Sequence, residues 1–555
     1  MTINVVKRNG HSTPLDLEKV HQMVEHACRD LAGVSESQVE MNANLQFFDG
    51  IETKDIQEIL IKSANDLISL DAPNYQFVAA RLLLFSLRKS VYKAHPDSHP
   101  TLKTQVDKGI VLGVYDKTLA GAYSDDEWAI LDSYIDHDRD YLFTYAGIRQ
   151  VADKYLVQDR SSGEVFETPQ FMYMLIAATL FQKYPEETRL EYVRRYYDAI
   201  SKHLINIPTP IMGGVRTPLR QFASCVLVDV DDTLDSIFSS DMAIGRYVAQ
   251  RAGIGINAGR IRGINSKIRG GEVQHTGVVP FLKKFESTVR CCTQNGIRGG
   301  SATVHFPIWH QEIEDIIVLK NNKGTEDNRV RKLDYSIQIS KLFYERFIAD
   351  GEISLFSPHD VPGLYDAFGT DSFDDLYVGY ERDESIPRKT IKAQTLILDI
   401  LKERAETGRL YLMNIDHCNS HSSFKDKVEM SNLCQEITLP TKPLQHIDGE
   451  GEIALCILSA VNVGKVHSDH ELEELCDLSV RGLEELIDYQ KYPIIAAEVA
   501  TKARRSLGVG FIGLAHYLAK LGFKYDSQEA WDAVHGLSES FQYYLLKSSN
   551  QIARE

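Results

Sequence analysis

Hydrophobic and polar residues alternate with different periods along the chain. Near the N-terminus, two valines lead into an Asn9-Gly10 turn, which predicts a β-hairpin, and helical periodicity follows. After a linker at His95–Pro100, helical periodicity continues, as in Glu186–Tyr197. Further on, short apolar strands alternate with amphipathic helices, which predicts an α/β sheet or barrel with ligands at strand ends. The predicted domains are therefore residues 1–92, 93–220 and 221–555.

Composition narrows the class of protein. A chain of 555 residues with 43% hydrophobic and 25% charged residues is expected to form several globular domains. The net charge of -17 argues against a nucleic-acid or membrane-surface binder. Residues Met1–Gly10 lack the apolar segment of a signal peptide, which predicts a cytoplasmic protein. Eight cysteines without a Cys-x-x-Cys motif indicate neither a disulfide framework nor zinc, so the thiols are expected to be reduced.

The segment Ser431–Glu436 combines three reactive groups at alternate positions: the amide of Asn432, the thiol of Cys434 and the carboxylate of Glu436. In an extended conformation all three side chains would point to one side. A thiol between an amide and an acid/base group indicates redox or radical chemistry on a polar substrate. The alternative interpretation is a surface loop with an incidental cysteine.

Two further cysteines lie in apolar segments that predict buried strands: Cys225 and Cys456. Each alone would be interpreted as an inert core residue. Together with Ser431–Glu436, the two segments resemble the large (alpha) subunit of class Ia ribonucleotide reductases, and most closely the enterobacterial and phage subunits. The resemblance runs along the whole chain. Other matching stretches are Pro208–Met212, Gln250–Asn257, Arg298–Gly300 and Ser357–Tyr365.

The resemblance implies an α/β fold with three parts. These are an ATP-cone activity domain that is mostly α-helical, a helical layer, and a ten-stranded α/β barrel with a central finger loop. In the ATP-cone, basic side chains would hold the phosphates of ATP or dATP, as arginine and lysine commonly do. Without the resemblance these residues would be interpreted as a solvated basic face. The implied activity-site residues are Lys7, Arg8, Lys19, Thr53 and Lys89.

Glycines alternate with arginines over residues 257–271, a pattern that suits a flexible phosphate-binding loop or an ordinary basic surface loop. By resemblance this is the first specificity loop, and residues 292–301 form the second, which relays effector identity to substrate choice. Gly508–Gly513 matches Gly-x-Gly-x-x-Gly, but the polar residues before it argue against a Rossmann strand. The implied residues of the effector specificity site are Asp232, Arg262, Ile268, Arg269 and Arg298.

The implied reaction is the reduction of ribonucleoside diphosphates to 2′-deoxyribonucleoside diphosphates, which provides DNA precursors. As an oxidoreductase of this family, the chain would carry a thiyl radical on Cys434 that abstracts the 3′-hydrogen. Glu436 would take the 3′-hydroxyl proton and Asn432 would bind the substrate hydroxyl. Cys225 and Cys456 would supply two reducing equivalents and end as a disulfide.

Small hydroxyl residues complete the implied substrate site: Thr209 and Ser224 suit the phosphate and hydroxyl groups of the substrate. The histidine spacing indicates no metal site on this chain, so magnesium is expected only with the ATP and dNTP effectors. The implied partners are a separate di-iron tyrosyl-radical (beta) subunit, thioredoxin or glutaredoxin, and a second copy of this chain.

The sequence stops within an amphipathic helical pattern at Phe541–Glu555, without a C-terminal cap. We therefore expect a naturally split subunit whose second polypeptide, a C-terminal fragment, completes the barrel; a truncated sequence is the alternative. Two other functions are considered. An adenosylcobalamin-dependent reductase would share the cysteines, and a catalytically dead nucleotide-binding regulator would keep only the allosteric sites.

Overall fold

A computed structural model describes residues 3–7, 10–44, 46–293 and 299–555. The chain forms two compact units. The first contains residues Met1–Arg220, Ser459–Glu485 and Val509–Glu555, and the second contains Gln221–Leu458 and Leu486–Gly508. Among the described residues, no helix is both long and apolar enough to cross a membrane.

The β-strands are numbered in chain order. They are β1 Asn4–Val6, β2 Ser12–Pro14, β3 Ile51–Glu52, β4 Gln158–Asp159, β5 Glu164–Val165, β6 Ile205–Asn206, β7 Cys225–Asp229, β8 Gly253–Asn257, β9 Lys267–Ile268, β10 Val273–Gln274, β11 Ala302–Pro307, β12 Asp334–Ile339, β13 Glu352–Leu355, β14 Lys389–Lys392, β15 Leu410–Asn414, β16 Ala454–Asn462 and β17 Leu507–Ile512.

The α-helices are numbered in the same way. They are α1 Leu17–Cys28, α2 Glu36–Asn44, α3 Thr53–Asp66, α4 Tyr75–Tyr92, α5 Leu102–Val111, α6 Asp125–Ser133, α7 Tyr145–Gln150, α8 Pro169–Phe181, α9 Glu186–Ser201, α10 Thr209–Gly214, α11 Leu234–Val248, α12 Val279–Cys291, α13 Ile313–Ile317, α14 Lys341–Ile348, α15 Leu364–Ala367, α16 Phe373–Arg382, α17 Ala393–Thr407, α18 Ile415–Ser420, α19 Asp469–Tyr489, α20 Ile495–Arg504, α21 Leu514–Leu521 and α22 Gln528–Ile552.

The first unit is mainly helical. The predicted N-terminal hairpin is confirmed, because β1 pairs antiparallel with β2, and the predicted helix at Glu186–Tyr197 is confirmed as α9. Helix α8 is buried along its whole length, as expected for a helix that is apolar on every side. A buried ion pair joins Arg88 to Asp140, with 2.8 Å between Nη2 and Oδ2. The first unit therefore has a helical core built around α8.

The second unit contains a mixed α/β sheet with strands in the order β15-β12-β11-β8-β7-β16. The pairs from β15 to β7 are parallel, and β7 pairs antiparallel with β16. Strands β7, β8, β11 and β12 are buried at every position. These observations confirm the predicted α/β fold, in which short buried strands alternate with helices such as α11 and α12.

The two faces of this sheet differ in chemistry. One face carries large apolar residues, such as Val226, Ile254 and Ile337. Because side chains alternate along a strand and the register joins neighbouring strands, the other residues share the opposite face. That face is mostly small or polar, and we call it the polar face. Its residues include Cys225, Leu227, Asp229, Gly253, Gly255, Asn257, Thr303, His305, Asp334, Ser336, Gln338, Tyr411, Ala454 and Cys456.

Candidate active site

The polar face places two thiols opposite each other. Cys225 begins β7, and the antiparallel register pairs it directly with Cys456 of β16. Directly opposed residues in an antiparallel pair have Cα atoms about 4.5–5.5 Å apart, within the range of about 4.4–6.8 Å that disulfides span. The strand register therefore holds both cysteines in reach of one disulfide without any change in the backbone.

Apolar neighbours keep both thiols protonated. Leu227, Met430 and Leu439 surround the pair, which is almost fully buried. Burial is the main cause that raises the pKa of Cys225 to about 11, and burial also raises the pKa of Cys456 above its ordinary value. At neutral pH these thiols are therefore hydrogen or proton donors rather than nucleophilic thiolates.

A loop at residues 427–437, called the finger loop here, lies along the polar face. Thr303 Oγ1 donates a hydrogen bond to the Leu433 carbonyl at 2.6 Å, and Gln338 Nε2 donates to the Glu429 carbonyl at 2.7 Å. Polar side chains of β11 and β12 therefore satisfy the backbone of the loop, which explains how irregular backbone is tolerated on a buried face.

Ser431–Glu436 is not extended, so the condition under which its three side chains would point to one side is not met. The chain turns at Leu433 and Cys434, and Gln435 has a left-handed backbone conformation with φ of 62°. The turn is stabilised by the Asn432 side chain, whose Oδ1 accepts hydrogen bonds from the backbone N–H of Glu436 at 3.0 Å and of the next residue at 3.1 Å. Local side-chain bonding replaces the β ladder that an extended segment would need.

Two of the predicted catalytic side chains nevertheless meet at Cys225. Asn432 Nδ2 donates a hydrogen bond to Cys225 Sγ at 3.2 Å, and that thiol donates to Glu436 Oε1 at 3.5 Å. Cys434 is exposed at the turn. Burial raises the pKa of Tyr411, and the nearby Cys434 and Glu436 add to the rise. The structure therefore brings Asn432, Glu436 and Cys225 together, with Cys434 on the same loop.

The two predicted substrate hydroxyls lie in different units. Ser224 is buried in the second unit, with its Oγ 3.6 Å from Cys225 Sγ. Thr209 begins helix α10 in the first unit, where its Oγ1 lies 3.3 Å from the Tyr155 hydroxyl. Ser224 therefore belongs to the thiol site, while Thr209 belongs to the helical unit.

The polar face contains site residues that were not predicted. Gly255 lets the loop approach β8, because a Cβ at this position would lie 2.2 Å from the Ser431 carbonyl oxygen. His305 is fully buried, and burial lowers its pKa to about 4, so it is neutral. Ser336 accepts a hydrogen bond from Gln435. Small and polar residues at every second position of otherwise apolar strands are the sequence signal that could have identified this face.

Two residues of the predicted effector site form an ion pair. The backbone N–H of Arg262 donates to Asp232 Oδ1 at 2.9 Å, and its Nε donates to Oδ2 at 2.7 Å. Ile268 and Arg269 lie at the tip of the β9–β10 hairpin, where Arg269 is exposed. Arg298 lies outside the described residues. The structure therefore joins Asp232 to Arg262 and places the other two described residues on the adjacent hairpin.

A buried carboxylate anchors that hairpin. Glu312 accepts backbone hydrogen bonds from Ile264 at 2.9 Å and from Val278 at 3.2 Å, on the two sides of the hairpin. Burial raises the pKa of Glu312 to about 7, although both hydrogen bonds oppose the rise. This anchoring residue was not predicted from the sequence, since a lone glutamate gives no motif.

The predicted activity residues occupy the N-terminal part of the first unit. Val6 of β1 pairs with Glu52 of β3 in parallel, so the following residues, Lys7 and Thr53, lie at the same edge. Thr53 also begins helix α3, and helix N-termini favour phosphate groups.

The other predicted activity residues lie elsewhere in this part of the chain. Lys19 pairs with Asp16, with 3.0 Å between Nζ and Oδ2. Lys89 is exposed in the last turn of α4, and Arg8 lies outside the described residues.

The glycine motif at Gly508–Gly513 belongs to a different structure from a Rossmann turn. Helix α20 precedes it, and Gly508 and Gly510 lie inside strand β17 rather than after a strand. A Cβ at Gly508 would lie 2.9 Å from Cys456 Sγ, so this glycine leaves room for the thiol. Within the part of the chain that the structure describes, no cluster of three or more potential ligands could hold a metal ion.

Three family models match parts of the chain. The family described as ribonucleotide reductase, barrel domain, matches residues 223–555. The ribonucleotide reductase all-alpha domain matches residues 141–220, and the ATP cone domain matches residues 3–90.

Three relatives are ribonucleoside-diphosphate reductase alpha subunits. The Haemophilus influenzae protein is 53% identical over 560 residues, which cover 100% of this chain and 74% of the relative. The Escherichia coli subunit 1 alpha is 52% identical over 99% of this chain and 73% of the relative. The phage T4 protein is 43% identical over 100% of this chain and 73% of the relative. The chain therefore belongs to the alpha-subunit family of class I ribonucleotide reductases.

Proposed function

We propose that this chain reduces ribonucleoside diphosphates to 2′-deoxyribonucleoside diphosphates under nucleotide control. One observation carries the proposal: Cys225 and Cys456 are directly opposed, and Asn432 and Glu436 both contact the Cys225 thiol. Two protonated thiols can supply the two electrons and two protons that reductive removal of a hydroxyl as water requires, and the neighbouring carboxylate can accept a proton. The relatives named above carry this activity in their names.

In the proposed reaction, a Cys434 thiyl radical removes the 3′-hydrogen of the ribose, and Glu436 accepts the 3′-hydroxyl proton. The 2′-hydroxyl leaves as water after it takes a proton from Cys225. Cys225 and Cys456 together give up two electrons and two protons and form one disulfide. The 3′-hydrogen returns from Cys434, so the loop radical is regenerated while the strand pair is oxidised.

The proposed roles of these residues follow from the surroundings of each side chain in the structure. The raised pKa of Cys225 keeps its proton available for the leaving hydroxyl. Asn432 already fixes the turn through its carbonyl oxygen, and its N–H group points to Cys225. Asn432 is therefore proposed to orient the finger loop as well as the substrate, with Ser224 and Thr209 contributing hydroxyl contacts.

Partners and effectors complete the proposal. The alpha-subunit names of the relatives imply a beta partner, which we propose to be a di-iron tyrosyl-radical subunit that oxidises Cys434. Thioredoxin or glutaredoxin would reduce the Cys225–Cys456 disulfide. ATP and dNTP effectors with magnesium would bind near Asp232 and Arg262 and in the ATP-cone. Three further statements remain predictions: the domain boundaries near residues 92 and 220, a cytoplasmic location, and a second polypeptide that is the C-terminal fragment.

A second copy of this chain is the proposed partner of helix α11. Leu234, Phe238 and Met242 recur every four residues on one side of this helix, and each is about half exposed. An exposed apolar stripe of this kind is typical of an interface. Phe238→Glu should therefore lower the sedimenting mass to that of a monomer. Leu398→Glu, at an exposed leucine of α17, is the matched control and should leave the mass unchanged.

The test of the function is dCDP formation from labelled CDP, with ATP, magnesium, a dithiol and a relative's beta subunit. The reaction is run with and without the predicted C-terminal fragment. We expect product in at least one condition. Product in neither condition, with dNTP binding retained, would contradict the proposal and favour the regulator. Product with adenosylcobalamin and without the beta subunit would favour the cobalamin-dependent alternative.

A further inference from the structure

The finger loop and the predicted first specificity loop meet at a buried charged cluster. Arg260 is mostly buried, and its Nη2 lies 3.3 Å from Glu429 Oε1 in the stem of the finger loop. Its Nε lies 3.8 Å from Oδ1 of Asp229, the last residue of β7. One guanidinium therefore faces two buried carboxylates that belong to different elements.

Further contacts hold the cluster in one geometry. Asn257 Nδ2 donates to Asp229 Oδ1 at 2.7 Å, and the Tyr365 hydroxyl donates to Asn257 Oδ1 at 2.8 Å. The Arg260 guanidinium also lies over the Tyr365 ring, 4.7 Å from its centroid. Lys427 Nζ lies 3.1 Å from Glu429 Oε2. Arg260 and Lys427 are therefore the cations beside Asp229 and Glu429, and Arg260 Nη1 also lies 2.5 Å from the carboxylate of the exposed Asp366. Loss of Arg260 would leave Asp229 and Glu429 with Lys427 as the cation of the cluster.

The segment from Arg260 to Arg262 is short and anchored. Ile261 between the two arginines is fully buried, and its carbonyl accepts a hydrogen bond from His310 Nε2 at 2.9 Å. Gly259 has no room for a side chain, since a Cβ there would lie 2.7 Å from Tyr365 and from Pro307. Only Ile261 separates Arg262 from Arg260, so a backbone shift at Arg262 that moves Ile261 would also change the position of Arg260.

We propose that Arg260 is a positioning residue that transmits nucleotide occupancy at Asp232 and Arg262 to the finger loop that carries Cys434. This inference rests on the proposed function, because it assigns the effector site to Asp232 and Arg262. Nucleotide binding would change the position of Glu429, which lies three residues before Asn432 and five before Cys434. Coupling of this kind requires two sites that bias one shared element, and the cluster is that element.

The test measures the finger loop directly and needs no turnover. The rate at which iodoacetamide alkylates Cys434 is followed by mass spectrometry with and without dTTP, and Cys418 serves as internal reference. Binding of labelled dTTP is measured separately by equilibrium dialysis. In the wild-type chain we expect dTTP to change the Cys434 rate by about fivefold or more.

The variants separate coupling from folding. Arg260→Gln leaves the Asp229 and Glu429 carboxylates with Lys427 as the cation of the cluster, whereas Arg260→Gln with Glu429→Gln removes one charge of each sign. We expect the double variant to fold and to bind dTTP within about threefold of wild type, while its Cys434 rate no longer responds to dTTP. Arg388→Gln, at an exposed arginine of the same unit, should behave as wild type.

The outcomes distinguish a failure of the proposed effector site from a failure of the inference about Arg260. If the wild-type chain binds no dTTP, the effector part of the proposed function fails and this inference fails with it. If dTTP binds but the Cys434 rate does not change in the wild type, only the inference is overturned. It is also overturned if the double variant binds dTTP and its Cys434 rate responds to dTTP as in the wild type.

Discussion

The strand pair that carries Cys225 and Cys456 and the loop that carries Cys434 differ in how they position a thiol. In the strand pair, backbone register holds two buried thiols opposite each other. In the finger loop, an Asn432 side chain closes a turn with Cys434 exposed near its tip. The strand pair is suited to forming one specific disulfide. The loop is suited to a reactive thiol whose position can be adjusted by the contacts of the loop with Thr303 and Gln338.

The largest expected effect comes from removing the thiol of the finger loop while both strand thiols are kept. Cys434→Ser should reduce dCDP formation by more than about 1000-fold, because the 3′-hydrogen can no longer be abstracted. Effector binding and oxidation of Cys225 with Cys456 should remain as in wild type, since both depend on other contacts. Assays of product, dTTP binding and disulfide content test this together. Retained product formation would contradict the radical assignment.

The second prediction concerns thiol reactivity. With a pKa of about 11, Cys225 should have a thiolate fraction at pH 7.5 about 300-fold lower than a thiol of ordinary pKa. Its alkylation rate should rise about tenfold per pH unit up to pH 11, because only the thiolate reacts. Mass spectrometry of the Cys225 peptide between pH 7 and pH 10 measures the slope. A rate that is already at its plateau at pH 8 would show that burial does not control this thiol.

The third prediction concerns the fit between loop and sheet. Gly255→Ala would place a Cβ 2.2 Å from the Ser431 carbonyl oxygen, and backbone atoms cannot move aside by rotation of a side chain. The finger loop should shift, with a loss of about 100-fold in product formation, the usual effect of misplacing a reacting group by about 1 Å. Gly510→Ala is the matched strand control, because nothing lies within 4 Å of its Cβ. Equal activity of the two variants would mean that the loop does not depend on this contact.

The smallest expected effect lies on the strand side. Gly508→Ala would bring a Cβ to 2.9 Å from Cys456 Sγ and 2.5 Å from Leu458 Cδ2. Both neighbours are side chains that can rotate, so we expect a loss of about 1–2 kcal/mol in stability and a tenfold slower Cys225–Cys456 oxidation. Thermal denaturation and peptide mapping against Gly510→Ala check this. Oxidation at the wild-type rate would show that Cys456 tolerates the crowding.

Much of the fold could be predicted from local pattern. The apolar runs around Cys225 and Cys456 predict the two strands, and helical periodicity predicts α9. The register that pairs the two cysteines could not be predicted, because it depends on contacts between residues more than 200 positions apart. Resemblance to a family, rather than spacing, suggested the pairing.

The loop conformation was missed for a different reason. Gln435 adopts a positive φ, which is uncommon for a residue other than glycine or asparagine, and nothing in the local sequence signals it. Long-range contacts, including the hydrogen bond from Gln435 to Ser336, hold this conformation. By contrast, the alternate polar residues Thr303 and His305 in a buried strand were visible in the sequence and could have revealed the polar face.

The central claim is that strand register builds a dithiol from Cys225 and Cys456 that is separate from the loop thiol. The most direct measurement is peptide mapping by mass spectrometry, without reduction, after oxidation of the full chain with diamide at pH 9. The account predicts a disulfide between Cys225 and Cys456 as the main intramolecular product. A main product that links Cys434 to Cys225 or Cys456, or a pair that stays alkylatable after oxidation, would contradict it.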